Sequence, residues 1–422
     1  MNVFSSYEYA INVKSRKTAN SRKNITNTIK IYFSKITRFI MKKSYSKQFN
    51  LILIFLVVFI IIEIPTGFFK AKFSLMFSPD NSLIISYYVF PEQFNTFCAD
   101  GVSSMLLDIS IYDSQNTPVP YLLLDIETNN FNAAIKPRYP ITDKNGCAVV
   151  RLFPKSPTMN AYEETAQKDI SISITISAKK SAPAVWNGNI SMPPVLLIHG
   201  FQDTSESLVP MKNYLENKGT RVFLMDYSAN GDFETMANVL EHSLDTTKGE
   251  LKNAGILANR VNIVAHSLGG LIARYYTCRR SYIKNQDVHK MIFINVPHHG
   301  TPWAEAGAEL LVSPFLKELY PTSNLYTSVF PDSINMGLNH TIQVANIALD
   351  NDEVVPLPSS SLDLWGINTK TYHIGEEPLD IQSLAKEPFS GETRHRQILF
   401  FIPVFEEVWR YLINDLPYPS KK

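Results

Sequence analysis

The sequence predicts an α/β fold: a minimal parallel sheet of about six strands with helices on both faces, preceded by a small β-sandwich and an N-terminal membrane segment. Three observations carry this. In the C-terminal half, apolar strand-like runs alternate with helix-like stretches, the pattern of strands joined by helical crossovers. Ahead of them, short runs of strict apolar and polar alternation are separated by turn residues. At the start, a basic stretch meets an unbroken apolar run. With 422 residues, 45% hydrophobic and 19% charged, the chain has room for two soluble domains and an export segment.

Residues 1–50 carry Lys14, Arg16, Lys17, Arg22, Lys23, Lys30, Lys35, Arg38, Lys42, Lys43 and Lys47 against Glu8. The whole chain has a net charge of only +1, so this is a local bias and gives no support to a nucleic-acid partner. The next segment, 51–69, opens with the run from Leu51 to Ile62. It is apolar all round, unlike an amphipathic core helix. Its length suits a signal sequence; a spanning helix of about 20 residues would have to absorb Glu63 and Pro65. Met41-Lys42-Lys43 makes a second possible start. The Lys/Arg excess on the near side predicts that everything after about Phe69 lies outside the cytoplasm, either secreted or held by an uncleaved anchor.

Residues 83–180 are expected to form the sandwich. Ile170-Ser171-Ile172-Ser173-Ile174-Thr175-Ile176 alternates strictly, so one face is buried. Leu83–Val89, Met105–Tyr112, Leu122–Glu127 and Cys147–Leu152 are further strand candidates, with turn signals at 113–118 and 143–146. Cys98 and Cys147 permit a disulfide without implying one. Ser181-Ala182-Pro183-Ala184 reads as a linker to a separable domain.

The catalytic part is expected at 190–418. Strand-like runs occur at Val195–Ile198, Val222–Met225, Val261–Ala265, Met291–Val296, Thr341–Ile347 and Lys370–Gly375. Helix-like stretches include Leu208–Asn217, Glu234–Ala254 and Val404–Leu416.

Chemistry concentrates on this second half. Ala265-His266-Ser267-Leu268-Gly269 follows an apolar strand and precedes a helix, placing one serine on a sharp strand-to-helix turn with its hydroxyl in the open. The same string also suits an ordinary N-cap serine. His199-Gly200-Phe201 ends the first core strand. The negative oxygen formed in ester cleavage needs two preorganised donors, assigned here to the backbone N–H groups of Phe201 and Leu268. A serine nucleophile also needs an imidazole base and a carboxylate that fixes the base's tautomer. Asp352, in the loop after strand 342–348, is the candidate acid, with Asp350 and Glu353 as neighbours able to compete.

Of nine histidines, two follow that acid. His395, in a loop before the last helix, is the candidate base, and His373, within a strand-like run, is the alternative. His199, His266, His298 and His299 are expected to shape the cleft. Between Thr301 and His340, the residues Trp303, Leu310, Leu311, Phe315, Leu325 and Phe330 form either an acyl-chain cap or ordinary core. No metal-ligand spacing stands out and no cofactor is expected.

From Pro194 to about Leu416 the chain resembles the bacterial triacylglycerol lipases and esterases of the α/β-hydrolase superfamily. The matching pieces, in the family's order, are His199-Gly200-Phe201, Ala265 to Gly270, Val296-Pro297-His298-His299-Gly300-Thr301-Pro302, Glu318 to Leu325, and Asp352 to Pro356. Ala265 stands where the first glycine is usual, and the stretch from Gly375 to His395 is long for a compact member. The resemblance implies Ser267 as nucleophile, Asp352 as acid and His395 as base. Segments 99–101, 113–120 and 142–146 are similar to the turns of bacterial Ig-like modules of invasin-type surface proteins. The expected activity is hydrolysis of carboxylic esters of the acylglycerol or a related lipid class. An acyltransferase, or a phospholipid or polyester hydrolase, would use the same residues. A surface binding protein with an inactive hydrolase domain is the alternative of another class.

Overall fold

The structure, a computed structural model, describes residues 83–130, 132–155, 169–228, 231–304, 314–375 and 393–420. The expected membrane segment lies outside these residues. Among the described residues, no helix is long and apolar enough to cross a membrane. They divide into two compact units. The smaller holds 83–84, Ile111–Leu123 and Ile141–Cys147; the larger holds Ile85–Ser110, Leu124–Pro140 and the chain from Ala148 onward.

The smaller unit is built from the two turns foreseen in the sequence. Asp113 Oδ1 accepts the N–H groups of Gln115 and Thr117, and Asp143 Oδ1 accepts those of Asn145 and Cys147. Each carboxylate thereby closes its own loop. Gly146 sits at φ +76°, and a Cβ there would come within 2.9 Å of both Ile111 O and Val119 N. Only glycine fits that turn.

The first β-rich part, most of it in the larger unit, contains β1 (Ile84–Phe90), β2 (Thr96–Cys98), β3 (Met105–Tyr112), β4 (Leu124–Thr128), β5 (Ala133–Lys136), β6 (Cys147–Pro154), β7 (Asp169–Ala178) and β8 (Ala184–Ser191). Inside β7, Ile172, Ile174 and Ile176 are buried while Ser173 and Thr175 between them are less so, as the alternation requires. One sheet has the order β1-β3-β6-β5 and another the order β11-β2-β8-β7-β4, where β11 is Ile256–Leu257. The residues expected as a linker therefore run into β8, which pairs antiparallel with β7 and parallel with β2. β11 comes from the C-terminal half and pairs parallel with β2. Among the described residues no disulfide forms.

The second part is a six-stranded, all-parallel sheet, β10-β9-β12-β13-β14-β15. Its strands are β9 (Val195–Ile198), β10 (Val222–Met225), β12 (Val261–His266), β13 (Val288–Ile294), β14 (Gln343–Leu349) and β15 (Thr369–Tyr372). Successive side chains point to opposite faces, so the central strands feed two cores. Leu196, Ile198, Ile263, Met291 and Phe293 pack with α2 (Phe233–Asn253) and α3 (Leu268–Cys278). Val195, Leu197, Val264, Ile292 and Ile294 pack with α1 (Val209–Asn217) and α5 (Ile402–Ile413). Burial on both faces explains why these strands read as near-continuous apolar runs. Functional loops collect at the C-terminal ends of β9, β12 and β14, as in other open parallel sheets.

Candidate active site

Ser267 joins β12 to α3 with φ +50° and ψ −123°, a conformation non-glycine residues rarely adopt and one that costs about 1–3 kcal/mol. It occupies the N-cap position of α3 yet makes no side-chain cap bond. Its hydroxyl is thus spared for another partner. The turn can be this tight because Gly269 lacks a side chain: a Cβ there would meet His199 O at 2.6 Å and Ile198 O at 2.9 Å.

The partner of the hydroxyl is His395, whose Nε2 lies 2.9 Å from Ser267 Oγ. Nδ1 of the same ring is 2.7 Å from Asp352 Oδ2. An ionised carboxylate only accepts, so the proton belongs on Nδ1, and the Nε2 lone pair faces the serine. The other oxygen of Asp352 accepts the N–H groups of Val354 and Val355, both at 2.8 Å. All three side chains are buried. The turn carrying His395, α4 (Arg394–Gln397), begins at Thr393, whose Oγ1 accepts the Arg396 N–H.

The competitors are placed elsewhere. His373 Nδ1 bonds Asp350 Oδ1 at 2.8 Å, and this pair is about half exposed. Glu353 Oε1 accepts the backbone N–H of Arg394 at 2.9 Å. The structure thus brings Ser267, His395 and Asp352 together and leaves His373 on the surface with Asp350.

Phe201 and Gly200 line a small open pocket with Ser267, His395, His266, Thr393, Asp203 and Arg396. Leu268 is the first residue of α3, where helix N–H groups have no intrahelical acceptor and the helix dipole favours negative charge. At the pocket wall Arg396 pairs with Asp203 at 3.3 Å, linking the histidine turn to the loop after β9.

Three of the remaining histidines are buried and hold neighbouring groups. His199 Nδ1 bonds Gly200 O at 2.8 Å and its ring stacks on Tyr227; burial holds its pKa below the ordinary range. His266 Nε2 bonds His395 O at 2.9 Å, and burial, with His395 alongside, keeps that ring neutral. His298 is fully enclosed beside Arg274, and burial and then that guanidinium keep it neutral too. Arg274 itself donates to Gly337 O and His298 O and lies 4.1 Å from the Phe330 ring centroid. Burial brings its pKa down to about 10.

Leu325 and Phe330 belong to the core. Phe315 is buried too and stacks on Phe201 at 6.2 Å, beside the pocket. Leu310 and Leu311 lie outside the described residues. Among the described residues, no group of three His, Cys, Asp or Glu side chains is arranged to hold a metal ion.

Sequence reasoning missed four contacts: His266 with the His395 carbonyl, Glu353 with Arg394, Asp203 with Arg396, and the enclosure of Arg274. One signal was available. Glu353 adjoins Asp352 and Arg394 adjoins His395, so pairing acid with base also brings these neighbours close.

Comparison with known proteins supports the fold. Residues 193–399 match the family described as alpha/beta hydrolase fold, and this part of the chain has that fold. Palmitoyl-protein thioesterase 3 of Dictyostelium discoideum is 28% identical over 108 residues, covering 25% of this chain and 36% of that protein. Triacylglycerol lipase 2 of Saccharomyces cerevisiae is 30% identical over 107 residues, covering 25% of this chain and 32% of that protein. The chain thus spans about a third of the length of these curated relatives, 36% and 32%. A solved soluble variant of monoglyceride lipase from Saccharomyces cerevisiae is 16% identical, covering 52% of this chain and 86% of that one, with a TM-score of 0.37.

Proposed function

We propose that this α/β-hydrolase domain cleaves carboxylic esters, of the acylglycerol or a related lipid class, through an acyl-enzyme on Ser267. The observation that carries the reading is the buried relay in which Ser267 Oγ meets His395 Nε2 at 2.9 Å and His395 Nδ1 meets Asp352 at 2.7 Å. His395 takes the hydroxyl proton as Oγ attacks the ester carbonyl. The N–H groups of Phe201 and Leu268 receive the oxyanion. As the intermediate collapses, the C–O bond breaks and the alcohol departs with the proton from His395. Water then adds by the same route and releases the acid. The two curated relatives are named a thioesterase and a lipase, so acyl transfer from sulfur and from oxygen are both natural substrate tests.

An alcohol or lysolipid in place of water would make the protein an acyltransferase, and phospholipids or polyesters could present the ester. The reading of another class is a surface binding protein whose hydrolase domain is inactive. A fluorophosphonate probe should label wild type stoichiometrically and leave Ser267→Ala unlabelled. A wild-type protein that stays unlabelled and inert on esters of every chain length would favour the binding protein. Comparing water with alcohol acceptors separates hydrolase from transferase.

The N-terminal sequence extends the proposal. The basic 1–50 segment and the apolar 51–69 segment fit export, with an Ig-like module over 83–180 and the catalytic domain over 190–418 outside the cytoplasm, anchored or secreted. Protease added to intact cells should then degrade the catalytic domain. Enzyme recovered in the cytosol and shielded from protease would overturn this placement.

A further inference from the structure

We propose that His266 is a positioning residue that indexes the base turn to the nucleophile. The inference rests on Ser267 and His395 being the nucleophile and base. Three features converge on this one residue. It is the residue immediately before Ser267, at the end of β12. Its Nε2 lies 2.9 Å from the carbonyl oxygen of His395, the rings of the two histidines being 4.7 Å apart. Its Nδ1 faces the loop after β9 so closely that a Cβ on Gly200 would come within 2.9 Å.

A carbonyl oxygen only accepts, so His266 donates from Nε2 and leaves Nδ1 bare. Nδ1 has no hydrogen-bond partner, although its ring is almost wholly enclosed. An orphaned buried acceptor is a cost, and a polar side chain kept there against that cost points to the bond made at the other nitrogen. Burial holds the imidazole neutral. The neutral ring still carries the Nε2 proton that it donates to the His395 carbonyl.

The need for such a bond follows from how α4 is held. Glu353 accepts from Arg394 N–H, Asp203 pairs with Arg396, and Asp352 orients the His395 ring. These fix the flanks of the turn and the direction of the imidazole. The bond from His266 fixes the His395 backbone itself, and it does so from the residue adjoining the nucleophile. Any shift of β12 thus carries the base along with the serine. A displacement of about 1 Å between reacting groups can lower a rate on the order of 100-fold.

The test compares His266→Phe with His266→Gln on a soluble p-nitrophenyl ester. Phenylalanine keeps the ring's bulk but removes the donor. Glutamine can place an amide N–H near the position of Nε2. His266→Phe should lower kcat by about tenfold to a hundredfold with KM within about twofold, while His266→Gln recovers most of that loss. Melting temperatures of both variants locate any loss of fold. If His266→Phe does not fold, His266→Asn, whose shorter amide reaches the Nδ1 position and not Nε2, should show the same kcat loss. Wild-type turnover in the Phe or Asn variant would overturn the proposal. So would a kcat loss that glutamine does not restore and that tracks melting temperature. Ser267→Ala, run alongside, separates the two readings: an active Ser267→Ala protein would remove the nucleophile assignment itself, independently of His266.

Discussion

Ser267 accepts backbone strain that an ordinary N-cap serine does not carry, and its hydroxyl turns to His395 instead of capping α3. In the proposed reading nucleophile, base and acid act as one unit, so the losses of the three members do not add. Ser267→Ala, His395→Ala and Asp352→Asn are each expected to lower kcat on the order of 10³-fold or more, with circular dichroism unchanged. His373→Ala should stay close to wild type, since that ring pairs with Asp350 at the surface. Steady-state kinetics on a short-chain ester checks all four, and a dead His373→Ala beside an active His395→Ala would reverse the base assignment. The meeting of Ser267, His395 and Asp352 was legible because each sits in a motif whose residue types suit the proposed chemistry. The contacts of the buried histidines around them were not. His266 has one hydrogen bond to a backbone carbonyl 129 positions away, and no local pattern encodes such a partner.

At the scale of elements, the parallel strands were legible because their fully buried runs are long and bounded by turn residues. β2 and β11, with three and two residues, are too short to display any period. α5 was visible from its apolar stripe, but not the device that fastens its end. Lys290, buried on β13, donates from Nζ to the carbonyls of Tyr411, Leu412 and Asn414 at 3.1, 2.9 and 2.6 Å. It thereby satisfies acceptors that the C-terminus of a helix leaves unpaired. Burial lowers its pKa to about 8, partly offset by Asp415. Below about pH 8 both folded and unfolded chains hold the proton, and the cost of enclosing the charge is fully present. Between about pH 8 and the ordinary lysine value the unfolded chain binds more protons than the folded one, so this residue's contribution to stability rises with pH. The melting temperature of wild type relative to Lys290→Met should therefore climb between pH 8 and pH 10. A flat or falling difference would show that the ammonium is not taxed by its enclosure.

The two halves of the chain in the larger unit are joined more closely than the Ser181 to Ala184 stretch suggested, and this changes what truncation should do. Asp100, fully buried, accepts the N–H groups of Val102 and Ser103, the Ser103 hydroxyl, and the N–H groups of Asn259 and Arg260. Asn259 and Arg260 lead directly into β12, the strand that ends just before Ser267. Arg221, just before β10, forms a two-pronged pair with Asp169 on β7 and bonds Ser191 on β8. β2 completes the junction by lying between β8 and β11. A chain beginning near Ser181 keeps every triad residue but loses Asp100, Asp169, β2 and β7 together. The N–H groups of Asn259 and Arg260 lose their acceptor. β8 loses both of its neighbours, and the Arg221 guanidinium loses its carboxylate. Against a net stability of about 5–15 kcal/mol for a typical domain, the loss of both β8 neighbours and of the Arg221 partner is expected to unfold the remainder. The truncated protein is expected to be insoluble, or soluble without a cooperative melting transition, and to lack esterase activity. Asp100→Asn in the full chain should fold with a lowered melting temperature. A soluble chain from Ser181 that melts cooperatively and turns over a short-chain ester at the full-length rate would show that the Asp100 and Arg221 junction is dispensable for building the site.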